Sequence, residues 1–175
     1  VITHTHYDHA GNAGAFPRAR IHVQDRELQY ATGRYMAHAR LRAPFDPAHV
    51  ATLVHAVFAE RVVFHDGDWE LAPGITVHLI GGHTPGLQVV RVRTARGFVL
   101  LASDASHLYA NIEQNRPFPI VHDVGAMIEG YARIRALADS PQHIIPGHDP
   151  AVMARYPAPS RELQGICVRL DVAPV

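Results

Sequence analysis

The sequence predicts a mixed α/β domain, and three observations carry the prediction. A strand–loop–helix–strand order opens the chain, strand-like runs joined by turn residues fill its middle, and helix returns before a short apolar strand. With 175 residues, 47% of them hydrophobic and 18% charged, the chain suffices for one domain with a sizeable core.

The opening VITHTH reads as the end of a strand, because Val, Ile and Thr favour pleated structure and alternation sets His4 and His6 on one face. In YDHAGNAGAFP two glycines break that alternation, so Asp8 and His9 are expected in a loop leading to a short helix. RIHVQ follows as a strand, then DRELQYATG as a helix opened by Asp25 and closed by Gly33. Between Asp46 and Arg61 a second helix is predicted: Asp46 caps it, Pro47 sits in the first turn, and Val50, Leu53, Val54 and Val57 recur at helical spacing. RVVFHDGDWELAPGITVHLIGG predicts two strands with turn residues between them, and LQVVRVRTARGFVLLASD a hairpin turning at Ala95 to Gly97. HDVGAMIEGYARIRALAD is helical behind an Asp123 cap, with Val124, Met127, Ile128, Tyr131, Ile134 and Leu137 as its apolar stripe. QHIIPGHD ends the pattern as a short buried strand and turn.

Sixteen Lys and Arg balance sixteen Asp and Glu, so no net field favours nucleic acid or an anionic membrane surface. No apolar run approaches the roughly 18 residues of a membrane span. Cys167 stands alone, which rules out an intramolecular disulfide or a Cys-x-x-Cys pair and fits a reducing, cytoplasmic setting. A start at Val1 without Met makes the lack of a leader pattern uninformative. The unusual figure is fourteen histidines, which makes metal binding the first chemistry to consider.

Three imidazoles and a carboxylate, His4, His6, Asp8 and His9, fall within six residues. Three later strands each end in a further donor: His83 after LIGG, Asp104 after FVLLAS, and His148 after HIIPG. Strand ends present loops to one crevice, so the seven groups are expected to converge. Five histidines and two aspartates can hold two adjacent divalent ions, zinc first, with manganese, iron or cobalt also suited. One ion would take His4, His6 and His83, the other Asp8, His9 and His148, with Asp104 bridging. The chemistry such a pair supports is hydrolysis.

HTHYDH, GGHTPG, SDAS and PGHD, spread from residue 3 to about residue 150, resemble the metallo-β-lactamase superfamily. Within it the chain is most similar to the N-acyl homoserine lactonases, on the segment DASHLYANIEQNRPFPIVHD that follows Asp104. The resemblance implies an αββα sandwich with metals at one edge of two packed sheets. Only three residues precede His4, so it also implies a single domain over 1–175 that lacks its N-terminal strands. It implies opening of a small lactone, most simply an acylated homoserine lactone, with Asp8 passing a proton to the leaving alkoxide. Such lactonases carry a tyrosine three residues after the bridging aspartate, where this chain has His107. Either His107 replaces it as donor to the substrate carbonyl, or Tyr109 reaches in, or the substrate is another lactone.

A thioesterase resembling glyoxalase II is the nearest rival, but that family adds a C-terminal region and only about 25 residues follow PGHD. β-Lactamases tend to have cysteine where Asp104 stands, and a nuclease should show a basic face. A non-catalytic metal-binding module is the rival from another class, against which Asp8 and Asp104 argue. His22, His38, His49, His55, His65, His78, His122 and His143 are read as ordinary surface or core residues, Trp69 as core or rim packing, and Cys167 as a packed thiol. The oligomeric state is left open by the sequence.

Overall fold

Seven strands in two sheets and seven α-helices follow one another in the computed structural model, which describes residues 1–175. In chain order they are α1 (Tyr7–Ala10), β1 (Ile21–Gln24), α2 (Asp25–Ala31), α3 (Ala39–Arg42), α4 (Pro47–Phe58), β2 (Val62–His65), β3 (Trp69–Ala72) and β4 (Ile75–Leu79). Then come β5 (Gln88–Thr94), β6 (Gly97–Ser103), α5 (Tyr109–Gln114), α6 (Val124–Leu137), β7 (Ile144–Pro146) and α7 (Ala151–Arg155). No helix is long and apolar enough to cross a membrane.

The smaller sheet pairs β1 with β2 in parallel, and the larger runs β3-β4-β5-β6-β7, antiparallel except for the parallel β6–β7 pair. Leu87 just before β5 and Val89, Leu100 and Ala102 of the larger sheet meet Ile112 of α5 and Met127, Tyr131 and Ile134 of α6 in the main core. A second cluster joins Ile2, Ala10, Ile21, Leu53 and Ala56 between the smaller sheet and α4. Helix α4 begins as expected, the Asp46 carboxylate accepting from the Ala48 N–H at 2.8 Å, and α6 likewise behind Asp123.

Several expectations are corrected. The first six residues form no ladder: the Ile2 N–H donates to the His22 carbonyl and Thr3 accepts from the Gln88 N–H, both at 3.0 Å, so the extended segment stitches the two sheets together. Asp8 and His9 lie in the single turn of α1, not in a loop, because the His6 carbonyl accepts from both His9 and Ala10. Helix α2 starts at Asp25 as expected, though with no side-chain cap, and closes at Thr32 rather than Gly33. The run from Arg61 to Gly82 makes three strands rather than two, since the turn at Asp66 to Asp68 carries the chain from one sheet into the other. The stripe on α6 is narrower than its spacing implied, with Val124 and Ile128 exposed and Gly130 buried.

Candidate metal centre

The local chain path aims each donor. His4 and His6 leave the inter-sheet segment just before α1, and the tight turn that follows swings Asp8 and His9 to one side. His83 follows Gly81 and Gly82, both at positive φ, and a Cβ on Gly82 would stand 2.6 Å from the Met127 backbone. Asp104 follows Ser103, a left-handed residue (φ 46°) that turns the chain sharply at the end of β6. The parallel β6–β7 pairing then delivers His148, whose N–H donates to the His107 carbonyl at 2.9 Å.

Seven groups predicted from separate stretches converge, and Asp104 lies at their centre. Its Oδ2 is 3.8 Å from His4 Nε2 and 3.4 Å from His83 Nε2, while its Oδ1 is 3.1 Å from both His9 Nε2 and His148 Nε2. His83 Nε2 is 3.0 Å from His6 Nδ1, and Asp8 Oδ2 is 3.5 Å from both His9 and His148. Two groups of three donors, His4, His6 and His83, and Asp8, His9 and His148, are each compact enough for a single ion. They meet on opposite oxygens of one carboxylate.

Burial decides the charge state of the first group. Desolvation, reinforced by neighbouring imidazoles, brings His4 well below its ordinary value and His6 down to about 3, and burial brings His83 to about 4. These rings are neutral, as ligation requires. The Nδ1–H of His83 donates to the Ile120 carbonyl at 2.7 Å, which leaves Nε2 with its lone pair toward the cluster. Burial alone would raise Asp104, but hydrogen bonds from His107 and His9 hold it far below the usual carboxylate range. Burial likewise opposes the charged form of His9, yet its contact with Asp104 raises it. Nε2 of His4 is buried without a hydrogen bond, as expected of a lone pair meant for a cation. The donor set fits a divalent transition metal.

The family model of the metallo-beta-lactamase superfamily matches residues 1–148. The chain belongs to that superfamily. Among its relatives, an N-acyl homoserine lactonase of Bacillus thuringiensis is 34% identical over 121 residues, covering 67% of this chain and 42% of the relative. The N-acyl homoserine lactonase AttM of Azorhizobium caulinodans is 30% identical over 157 residues, 86% of this chain and 57% of that protein. A solved N-acyl homoserine lactone hydrolase, with the product N-hexanoyl-L-homoserine at its catalytic metal center, superposes with a TM-score of 0.73 at 29% identity, over 87% of this chain and 56% of the other. The chain thus spans about half the length of the curated relatives it matches, between 42% and 57% for these two.

A cleft of about 330 Å³ opens over this superfamily site, walled by Asp8, Asp104, His148, His107, Phe118 and Tyr7 among others. His107 is inside it, buried, stacked on Phe118 at 4.1 Å, with Nε2 2.9 Å from Asp104 Oδ2. Tyr109 is not. It begins α5, its ring lies under the Arg155 guanidinium at 3.9 Å, and its hydroxyl is buried without a partner, so of the alternatives for the carbonyl donor it is the one placed outside the cleft. A second cavity of about 200 Å³ adjoins the cleft and is lined by Tyr30, Leu41, Pro44, Ile120 and His122. His122, read from the sequence as ordinary, is therefore beside the site. Tyr7 was also missed; its position between His6 and Asp8 could have marked it, since a one-turn helix turns it toward the opening. His22 and His65 stack with Trp69, the His65 ring 3.8 Å from the indole, away from the cluster.

Proposed function

We propose that the protein is a metal-dependent hydrolase that opens a lactone ring, with an N-acyl homoserine lactone as its substrate class. The observation that carries this reading is Asp104, set between two compact triads that each suit one ion. Its relatives' activity, and the product held by the superposed structure, supply the substrate class. In this reading His4, His6 and His83 would hold one divalent ion and Asp8, His9 and His148 another, with Asp104 shared between them, zinc being the first candidate and manganese, iron or cobalt the others. Bound there, the ions supply Lewis acidity and water acidified towards neutrality.

The chain's own residues do the rest. Asp8, on the open side of the cleft, takes the proton of the attacking water as its oxygen bonds the carbonyl carbon and passes it to the ring alkoxide as the acyl–oxygen bond breaks. His107 lines the cleft where Tyr109 does not, and its Nε2–H, 2.9 Å from Asp104 here, is the donor that would turn to the substrate carbonyl once ions claim that carboxylate. The two sheets are taken as the inner layers of an αββα sandwich in the whole protein, which works as a cytoplasmic enzyme on a small molecule. A second reading, a different small lactone, draws on His107 itself, which puts an imidazole stacked on Phe118 where the resembling lactonases carry tyrosine. Hydrolysis of a panel of acyl homoserine lactones, other lactones and thioesters by the full-length, zinc-loaded protein tests both. Preference for the homoserine lactones is expected, and preference for thioesters or no turnover would sink the proposal.

A further inference from the structure

Glu27 belongs to neither triad, yet its side chain has no exposed surface and ends between the two segments that carry the first one. Oε1 accepts from the Thr5 N–H and the Thr5 hydroxyl, both at 2.8 Å. Oε2 accepts from the Thr84 hydroxyl at 2.6 Å and the Gly86 N–H at 3.1 Å. Thr5 stands between His4 and His6, and Thr84 directly follows His83. Gly86 packs so closely on α2 that any Cβ there would overlap the Glu27 backbone, so the loop is seated against the carboxylate from both sides.

Four donors on one buried carboxylate fix distance and direction together, which apolar packing at the same place would not do. The two segments are far apart in sequence and share no ladder; the bonds from Gln88 to Ile2 and Thr3 join them away from the ligands, and the Glu27 carboxylate joins them next to His4, His6 and His83. By contrast Asp8, His9 and His148 depend on α1 and on the turn after β7, neither of which Glu27 touches.

We propose that Glu27 is a positioning residue for one half of the site: by clamping Thr5 to Thr84 and Gly86 it sets His4, His6 and His83 at the separation one cation requires, and leaves the other half unaffected. This rests on the metal-binding reading above. Replacing the carboxylate turns one acceptor into an amide NH2 facing donors, so the clamp opens even though volume is kept.

The test uses the full-length protein and zinc or cobalt(II) as probes. In chelator competition, Glu27→Gln is expected to weaken one of two ions by about tenfold to hundredfold, the scale for groups that orient ligands, while the other keeps its affinity. The cobalt(II) absorption of the weakened site should change with it. Thr84→Val, which removes one bond at nearly constant volume, should weaken the same ion, and Thr84→Ser should restore it; this pair decides the matter if Glu27→Gln does not fold. A lowered unfolding midpoint with both affinities and the cobalt spectrum unchanged would overturn the positioning role. Wild-type protein that binds no ion would overturn the metal reading instead.

Discussion

His4, His6 and His83 are buried, His6 and His83 at the floor of the cleft, whereas Asp8 and His148 stand exposed at its wall and His9 is half-buried beside them. The side chains of His4 and His83 are 0% exposed, against 35% for Asp8 and 41% for His148. Both groups touch the same carboxylate, so the difference comes from what carries them. The deep group sits on the seam between the sheets, backed by the Glu27 hydrogen bonds, while the open group hangs from a single helical turn and a loop. Depth makes the first imidazoles neutral and fixes their lone pairs, which suits permanent holding of an ion. Openness lets the second group meet a substrate, at the cost of weaker geometry.

Ligand deletion should expose that inequality most strongly. His83→Ala is expected to lose metal from the deep half and to lower lactone hydrolysis by more than the roughly hundredfold typical of groups outside the coordination sphere. His148→Ala should leave close to one ion per chain. Metal content and turnover measured on both variants check the contrast, and equal loss of both ions in each would mean that the two halves act as one unit.

Next in size is His107, which belongs to the cleft. His107→Ala should lower kcat/KM by roughly tenfold to a thousandfold with metal content unchanged, the range for loss of one donor to a developing oxyanion. Tyr109→Phe should leave the rate as it is, because the hydroxyl is shut away from the cleft. A rate that collapses in Tyr109→Phe and survives in His107→Ala would assign the carbonyl to Tyr109.

The smallest expected effect is that of acid on the metal-free protein, through its buried rings. Unfolded histidines titrate near 6.5, while folded His6 and His83 wait until about 3 and about 4. Below pH 6.5 the unfolded chain therefore takes protons that the folded one refuses, and stability falls by about 1.4 kcal/mol per pH unit for each such ring. His9, raised by Asp104 despite its burial, titrates in the opposite sense and offsets part of the loss. Denaturation midpoints of metal-free protein at about pH 7.5 and about pH 5 should differ accordingly, by about 2 kcal/mol per buried ring before that offset. Equal midpoints would mean that the deep group is not held neutral by the fold.

The donors were legible because each ends a strand or stands in a short motif, and local pattern suffices to find such residues. The hairpin of β5 and β6, helix α4 and helix α6 were legible for the same reason. What escaped depends on distant partners. VITHTH has the composition of a strand, but its backbone bonds go to β1 on one side and β5 on the other, so no ladder forms. Glu27 looks like any acidic residue in a first helical turn, and its meaning lies in Thr5 and in Thr84, which is 57 positions away. Helix α5 was hidden because its apolar content is slight and its start is held by the Asp149 carboxylate, which accepts from the Tyr109 N–H across 40 positions.

The parallel pairing of β6 with β7 also bears on the order in which a growing chain can complete the site. A chain made from its N-terminus has released His4, His6 and His83 before Asp104, and all of these before the crossover helix α6 and His148. Parallel neighbours cannot pair until that crossover is made, and closing such a long loop is slow. A nascent chain would therefore present the deep triad well ahead of the open one, with the last donor arriving only when β7 docks.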